Sequence, residues 1–356
     1  MGAGSVVGVN LGRRYIASKK KGNDGSDSGI DESKLEETLA YAGAAGALTG
    51  AMNFPLAGPI FALEFTSRHG GLTRAAGKSW SAVMMATLAG MAVVRGLLGP
   101  GAHVGGHFTY TAKAAVGALH GREMVLGGLL MGVSGAVVGT SFHKAVSFLK
   151  KSIWSKKSSS SKAVSIGKKV LLVMIIGWIS TLFPQTMFWG EPSLQCMVDG
   201  QCTAFSATPH GIPAAMMQAA RVNPNEPFAS GAAALQVGLA KLSAIALASC
   251  AKLPGGVIFP LLSNGASLGH FLVSALQPFF SAASSSLVSP MMIMSFMCAM
   301  LTSITRTPLG SVLILAFTAS GVTPLSVLLP GVLLASYVSV WVSERLSKDT
   351  FFSYSE

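Results

Sequence analysis

The sequence predicts an all-α, polytopic membrane protein built as a transmembrane helical bundle. Half of its 356 residues are hydrophobic, only 11% are charged and the mean hydropathy is +0.54, whereas soluble domains carry about 25% charged residues. Its 41 glycines suit the close approach of helix backbones in lipid. Several apolar runs contain Pro or Gly and fall short of the ~20 residues of a straight span. Such runs are typical of transporters with broken and re-entrant helices.

The first part of the chain is expected to form helices that are rich in small residues. The segment Ala42–Ala51 is nearly all Ala and Gly, which predicts a face for helix–helix packing. Pro55 is expected to begin the next helix, because proline is favoured at the first helical position. The helix-forming runs of this part cover residues 2–17, 33–52, 55–64, 79–98 and 124–149.

The Ser/Lys-rich tract Lys150–Lys169 is the clearest linker and divides the chain into residues 1–149 and 170–356. The segments Asn53–Gly58 and Arg306–Gly310, one from each half, both place a polar residue, a Pro-Leu pair and a Gly between two helices. This weak internal similarity favours an inverted repeat. The apolar runs of the second half cover residues 170–183, 228–250, 261–280, 287–304, 308–319 and 323–343.

The stretch most informative about function is Lys252-Leu-Pro-Gly-Gly-Val-Ile-Phe-Pro260, which begins a run without Asp, Glu, Lys or Arg that lasts until Arg306. Its two prolines and two glycines must break a regular helix, and broken backbone at membrane depth is tolerated where it is buried or lines a cavity. The following residues, Leu261–Leu276, read as a helix whose first N–H groups point into the break. Since an unpaired helix N-terminus binds anions, the stretch predicts a small-anion site. An ordinary Pro/Gly kink in a transmembrane helix is the alternative.

Two lone charges lie in apolar surroundings. Glu64 stands between Leu63 and Phe65, and ionisable groups inside spans are costly and usually functional. A helix-end ion pair with Arg68, four residues later, explains Glu64 equally well. Lys241 lies mid-span, where it either raises the local anion affinity or extends its ammonium group to the interface. The second interpretation is preferred.

The net charge of +12 is concentrated in a few loops, which fits positive-inside loops and anionic lipid headgroups. No aromatic–basic interleaving or zinc spacing supports a nucleic-acid module, so no nucleic-acid partner is expected. Cys196 and Cys202 share one polar loop and could pair if that loop faces an oxidising space. Cys250 and Cys298 lie in apolar runs and are expected to be packing residues.

Neither a metal site nor an enzymatic activity is predicted. His103, His107 and His120 lack the i, i+4 spacing of helical ligand pairs and have no accompanying cysteine or acid, so no metal or cofactor is expected. The segment Gly265–His270 places a Ser three residues before a His, which raises the alternative of an intramembrane serine hydrolase. No acid of the second half completes a triad, so packing is the preferred interpretation and no catalytic residue is assigned.

Four stretches carry a family resemblance, and they occur in the order Ala42–Gly58, Phe188-Trp-Gly-Glu191, Ala240–Pro260 and Arg306-Thr-Pro-Leu-Gly310. Together they resemble the CLC family of chloride channels and chloride/proton exchangers, over nearly the whole chain. The first and third stretches are long and specific, and the Trp-Gly-Glu turn looks like that of plant and algal members. The resemblance implies a CLC-type inverted repeat, chloride as the substrate, and a homodimer with one pore per subunit.

The resemblance also implies an anion site made of backbone N–H groups at a Gly-x-Phe-x-Pro element. This element falls on Gly256-Val-Ile-Phe-Pro260, with Ile258 at the usual Phe position and Phe259 one residue later. The change leaves the backbone donors in place. Phe351 stands where the family has a central Tyr, which removes one hydrogen-bond donor. The implied anion-binding residues are Gly256, Val257, Ile258, Phe259, Pro260 and Phe351.

The coupling of transport follows from the same resemblance. Phe65 stands where the exchangers have their internal proton-transfer Glu, and a phenylalanine cannot carry a proton. Glu64, beside it, is the remaining candidate for a proton-related or gating role. The expected function is therefore that of a voltage-gated-type chloride channel or a chloride transporter, passive or weakly proton-coupled. The alternatives are transport of another anion, such as nitrate or fluoride, on the same scaffold, and an inactive fragment.

The chain begins just after the position of the family's Gly-x-Glu-Gly-Pro gate segment, so the resemblance implies an N-terminally truncated membrane domain whose first repeat half is incomplete. The regulatory domains that follow the membrane domain in many eukaryotic members are not expected here. The family's dimer contact matches residues 55–98 and 308–343. The protein is expected to be an integral, multi-pass membrane protein, and the sequence leaves open which membrane holds it.

Overall fold

The structure is a computed structural model, and the regular secondary structure that it describes is helical. The described residues are 2–22, 32–52, 55–66, 72–98, 121–154, 162–187, 190–199, 214–223, 228, 230–253, 255–279, 282–319, 325–349 and 351. Within these ranges there are α-helices and two 3₁₀ turns but no strand. The predicted all-α fold class is confirmed.

Most helices follow the predicted apolar runs, with shifts at their ends. Those of the first part are α1 (Gly2–Gly22), α2 (Glu32–Met52), α3 (Ala57–Thr66), α4 (Leu72–Leu98) and α5 (Gly121–Ile153). Those of the second part are α6 (Lys162–Leu182), α7 (Glu191–Asp199), α8 (Ala214–Ala219), α9 (Gly231–Cys250), α10 (Ile258–Leu276), α11 (Ala282–Thr305), α12 (Pro308–Ala319) and α13 (Leu325–Leu346). Helices α7 and α8 lie outside those runs, and the expectation that Cys196 lies in a loop is wrong because it lies on α7. Because α5 ends at Ile153 and α6 begins at Lys162, helix occupies both ends of the predicted linker 150–169.

Five helices in the described part of the chain are long and apolar enough to cross a membrane. Their candidate spans are Trp80–Leu97, Met124–Ile153, Ala163–Leu182, Gly231–Cys250 and Ile258–Leu276. Two shorter apolar helical segments, Pro290–Thr305 and Pro308–Phe317, accompany them. Pro308 is the first residue of α12, whereas Pro290 lies inside α11. This pattern is that of an integral, multi-pass membrane protein.

The chain divides into two compact units, the first of which comprises residues 1–107 and 307–317. In this unit α2 crosses α4 at very short range. A Cβ atom added to Gly46 would lie 2.9 Å from the carbonyl oxygen of Ala86, and one added to Gly90 would lie 2.7 Å from the carbonyl oxygen of Gly46. The segment Ala42–Ala51 is therefore the packing face that its small residues predict.

The second unit comprises residues 108–306 and 318–356. Helix α5 is its central element and packs against α9, α11 and α13. Small residues again permit the contact, since a Cβ atom added to Gly135 would lie 2.6 Å from the Cβ of Ala299 on α11. Helix α10 packs between α9 and α11 and also touches α7. Helices α5, α9 and α10 thus fix the surroundings of the broken stretch that precedes α10.

Candidate functional site

The predicted anion-binding stretch forms the start of helix α10. The helix begins at Ile258, three residues before the predicted start, and its first intrahelical hydrogen bond runs from the N–H of Leu261 to the carbonyl oxygen of Val257, at 3.0 Å. The N–H groups of Val257 and Ile258 lie before this first donor, so they have no acceptor within the helix. Val257, at the N-cap position, supplies no side-chain hydrogen bond to cap the helix, and Pro260 has no N–H group. The N-cap residue therefore leaves the positive end of the helix dipole without a cap from its own side chain.

This helix end is open on one side and anchored on the other. Gly255 and Gly256 are exposed, and a Cβ atom added to either would meet no atom within 4 Å. Residues 257–260 are half-buried, whereas Leu261–Gly269 are buried in the second unit. No Asp or Glu occurs in residues 227–343 of the sequence, so no carboxylate from this part of the chain competes for the helix end. The arrangement suits a small, exchangeable anion.

Phe351, the other residue of the predicted site, packs against helix α5. Its side chain is buried and stacks on Phe142, with ring centroids 6.1 Å apart and an angle of 14° between the planes. The ring of His143 meets it edge-on at 6.1 Å, and the Lys150 ammonium lies 5.2 Å from its centroid. Phe351 is thus held by the C-terminal half of α5.

The last turn of α5 links Phe351 to the segment that leads into α10. Trp154, four residues after Lys150, donates a 2.8 Å hydrogen bond from its indole nitrogen to the carbonyl oxygen of Cys250. The ammonium of Lys252, four residues before Gly256, lies 5.7 Å from the Trp154 ring centroid. Residues four apart on a helix lie on the same face. One turn of α5 therefore contacts both Phe351 and the segment that precedes the helix end.

Glu64 lies on α3 in the first unit and caps the N-terminus of α12. Its side chain is buried, and its two carboxylate oxygens accept hydrogen bonds from the backbone N–H groups of Leu309 at 3.1 Å and Gly310 at 2.7 Å. A carboxylate at a helix N-terminus is stabilised by the helix dipole. Arg68, the alternative partner, lies outside the described residues. Phe65, on the same helix, stacks on Phe61 with ring centroids 6.2 Å apart.

The interpretation that Lys241 extends its charge to the interface is wrong. Only 5% of Lys241 is exposed, and its ammonium donates a 2.6 Å hydrogen bond to the carbonyl oxygen of Thr186. A Cβ atom added to Gly190, in the Trp-Gly-Glu turn, would lie 3.9 Å from the same ammonium and would collide with the hydroxyl of Ser263 on α10. Gly190 also has φ +92°, which favours glycine. Lys241 therefore holds the turn before α7 against α9 and α10.

The remaining sequence-predicted groups are placed as follows. Cys196 on α7 is disulfide-bonded, and Cys202 lies outside the described residues, as do His103, His107 and His120. The thiols of Cys250 and Cys298 are both buried in the helical packing, as expected for packing residues. Within the described ranges, no group of His, Cys, Asp or Glu could hold a metal ion. The hydroxyl of Ser267 donates to the carbonyl of Ser263 one turn earlier, as a packing serine does.

Comparison with known proteins decides the family. Residues 2–344 match the family model described as voltage gated chloride channel. The chain belongs to this chloride channel family. A solved structure of a slow cyanobacterial Cl⁻/H⁺ antiporter shares the fold, with a TM-score of 0.67 and 16% sequence identity, over 97% of this chain and 68% of that chain. A search of curated proteins found no match.

In this member of the chloride channel family, sequence reasoning missed the role of Arg306. Its guanidinium donates to the carbonyl oxygens of Val340 at 3.2 Å, Ser343 at 2.9 Å and Ser347 at 2.9 Å, and to the hydroxyl of Ser343 at 2.5 Å. It therefore caps the C-terminus of α13, where cations are favoured. The available sequence signal was that Arg306 is the first charge after Lys252. Its partners lie 34–41 residues away and follow no local pattern.

Proposed function

We propose that this chloride channel family member carries chloride across a membrane at the N-terminus of α10, passively or with weak coupling to protons. The observation that carries the proposal is the half-buried helix start at Val257 and Ile258, whose N-cap residue makes no side-chain hydrogen bond and which adjoins the exposed Gly256. Backbone N–H dipoles there attract an anion without the strong attraction of a full charge. Moderate affinity lets an ion leave as well as arrive. Phe259, Pro260 and Phe351 complete the proposed site.

The coupling part of the proposal rests on Phe65 and Glu64. Phe65 is an aromatic packing residue at the position where the exchangers of this family have a proton-transfer Glu. The neighbouring Glu64 carboxylate accepts two backbone hydrogen bonds at the start of α12, which gives it a structural role as the cap of that helix. We therefore expect net chloride flux that does not require a matching proton flux.

The variant Ile258→Asp tests the position of the site. An Asp at the first residue of α10 places a tethered carboxylate against the same N–H groups, where it stabilises the helix and competes with chloride. Chloride efflux from reconstituted liposomes should fall at least about tenfold, a change of about 1.4 kcal/mol, with no loss of thermal stability. The matched control is Leu276→Asp, a half-buried residue at the other end of α10. Efflux that is equally affected in both variants would place the site elsewhere.

The same liposomes test coupling and selectivity. A pH electrode and a chloride electrode should record chloride efflux with little accompanying proton movement. Proton flux that tracks chloride flux at a fixed ratio would overturn the passive or weakly coupled mode. Replacing chloride by nitrate or fluoride should lower the rate, and faster flux of either replacement would make that ion the substrate. Absence of flux of any anion would contradict the proposal as a whole.

We also propose that the protein forms a homodimer through α4. This helix carries four exposed apolar side chains, Met85, Leu88, Val93 and Leu97, of which Met85 and Leu88 are neighbours on one face. The double variant Met85→Asp/Leu88→Asp should shift the detergent-solubilised protein from the mass of two chains to that of one. The matched control, Leu171→Asp/Met174→Asp, changes two exposed residues on α6 and should leave a dimer. A wild-type protein with the mass of one chain would contradict the proposal.

A further inference from the structure

The end of α5 carries an aromatic residue surrounded by cations. The Trp154 indole is fixed in orientation by its hydrogen bond to the carbonyl oxygen of Cys250. The ammonium groups of Lys168 on α6 and Lys252 after α9 each lie 5.7 Å from its ring centroid. Lys168 also donates to the carbonyl oxygen of Ile153 at 2.9 Å, which uses one of its three N–H donors. Three chain segments thus bring two ammonium groups to one tryptophan.

This cluster has a large local excess of positive charge. Residues 144–169 contain eight lysines and no Asp or Glu. Within the described part of the chain, neither Lys168 nor Lys252 forms a salt bridge with a carboxylate. The cation–π contacts with Trp154 leave the remaining donors of both ammonium groups available. The cluster therefore favours a ligand that carries negative charge and accepts several hydrogen bonds, as a phosphate group does.

Lys252 is held in a backbone conformation that lysine rarely adopts. Its φ is +54°, and it follows the last turn of α9, where the N–H of Leu253 donates to the carbonyl oxygen of Ala248 at 3.1 Å. Glycine is the residue that this helix-ending position favours. A lysine in this conformation indicates a use for its side chain. In this conformation the Lys252 ammonium lies over the Trp154 ring.

The location of the cluster identifies the source of that ligand. The lysine-rich end of α5 and α6 is the cytoplasmic end by the positive-inside rule. The disulfide of Cys196 follows the opposite end of α6 and fits an oxidising exterior. Apolar side chains on the same turns are exposed, with Val164 at 48%, Ile166 at 61% and Phe148 at 71%. Acyl chains can cover these side chains, whereas a soluble anion cannot.

We propose that Trp154, Lys168 and Lys252 bind the headgroup phosphate of an anionic lipid in the cytoplasmic leaflet. The indole lies at the membrane interface, as Trp commonly does. The two flexible lysines contact the phosphate, and the exposed apolar residues of α5 and α6 contact the acyl chains. This lipid site is separate from the chloride site, and its test does not depend on transport.

Tryptophan quenching by brominated lipid tests the site in the full chain reconstituted in vesicles. Brominated phosphatidylglycerol should quench more strongly than brominated phosphatidylcholine, and Trp154→Phe should remove this excess. The preference should fall about fivefold for each of Lys168→Gln and Lys252→Gln, since a lysine near an anionic surface contributes about 1 kcal/mol. The matched control is Arg122→Gln, an exposed cation at the other end of α5, which should keep the preference.

Two results would overturn the proposal. The first is equal quenching by the two brominated lipids in the wild-type protein. The second is removal of the excess quenching by low concentrations of inorganic phosphate, which would make the cluster a site for a soluble anion. The variant Lys252→Gly separates binding from folding, because glycine tolerates the left-handed conformation. Its thermal midpoint should equal or exceed that of the wild type, while its lipid preference falls as in Lys252→Gln. A retained preference in this variant would also contradict the proposal.

Discussion

Arg306→Ala should lower the thermal midpoint of the detergent-solubilised protein by several degrees and reduce chloride efflux from liposomes at least about tenfold. The guanidinium makes four hydrogen bonds to the last residues of α13 and to the residue that follows it. Removal of Arg306 leaves the carbonyl oxygens of Val340, Ser343 and Ser347 without this donor. Hydrogen bonds to charged groups contribute about 1.5–3 kcal/mol each and are not additive, so a loss of at least about 3 kcal/mol is expected.

Arg306→Ala is expected to affect transport because the end of α13 positions the segment that leads to Phe351. The chain continues from Ser347 to Phe351, whose ring packs against α5 beside Lys150. If the last turn of α13 unwinds, the segment from Ser347 to Phe351 loses its anchor. The Phe351 ring then no longer packs against α5 in the same position. A loss of efflux at temperatures where the variant is still folded would show that the cap acts through position as well as through stability.

The matched control is Arg345→Ala, in the last turn of the same helix. Arg345 is exposed and stacks on Trp341, with its guanidinium carbon 3.8 Å from the ring centroid. The Arg345→Ala substitution removes a positive charge at the same helix end without removing the cap. The thermal midpoint and the chloride efflux should therefore stay near the wild-type values. Arg306→Lys keeps the positive charge but loses the planar guanidinium that donates to several carbonyl groups at once. Its thermal midpoint and its chloride efflux should lie between those of the wild type and those of Arg306→Ala. Equal behaviour of Arg306→Ala and Arg345→Ala would contradict the proposed role of Arg306.

The sequence could predict features that depend on local composition. Apolar runs located the helices, the small residues of Ala42–Ala51 located a crossing, and two prolines with two glycines located the break before α10. The start of α10 was placed at Leu261 because Pro260 was interpreted as a helix breaker. The helix begins at Ile258 instead, since a proline in the first helical turn removes no intrahelical hydrogen bond.

The sequence could not predict partners that only the fold brings together. The amide groups that Glu64 caps are 245 and 246 residues away, and the carbonyl that Lys241 contacts is 55 residues away. A charge in an apolar run indicates that some partner exists. The charge does not indicate which group that partner is. Arg68 is a plausible local partner for Glu64, and the membrane interface is a plausible location for the ammonium group of Lys241. Only the packing of the helices decides between these choices.

Glu64→Gln should destabilise the protein by about 1–3 kcal/mol, since a buried hydrogen-bonding group that loses its partner costs about that much. The substitution keeps the shape of the side chain but replaces one acceptor oxygen by an NH₂ donor. That donor faces the N–H of Leu309 or Gly310, which already lack intrahelical acceptors at the start of α12. The substitution also removes the negative charge at the positive end of the helix dipole. The expected measurement is a thermal midpoint several degrees below that of the wild type.

The same variant separates a capping role from a proton-carrying role. A capping carboxylate predicts that Glu64→Gln lowers stability and lowers chloride flux together, while the ratio of proton to chloride flux stays unchanged. A proton-carrying carboxylate predicts unchanged stability and a selective fall in proton flux. The matched control is Glu36→Gln, whose side chain is partly exposed and pairs with Arg13 at 3.1 Å. Such a surface pair contributes little, so the control should match the wild type. Because both oxygens of Glu64 bond to backbone amides, we expect the first outcome.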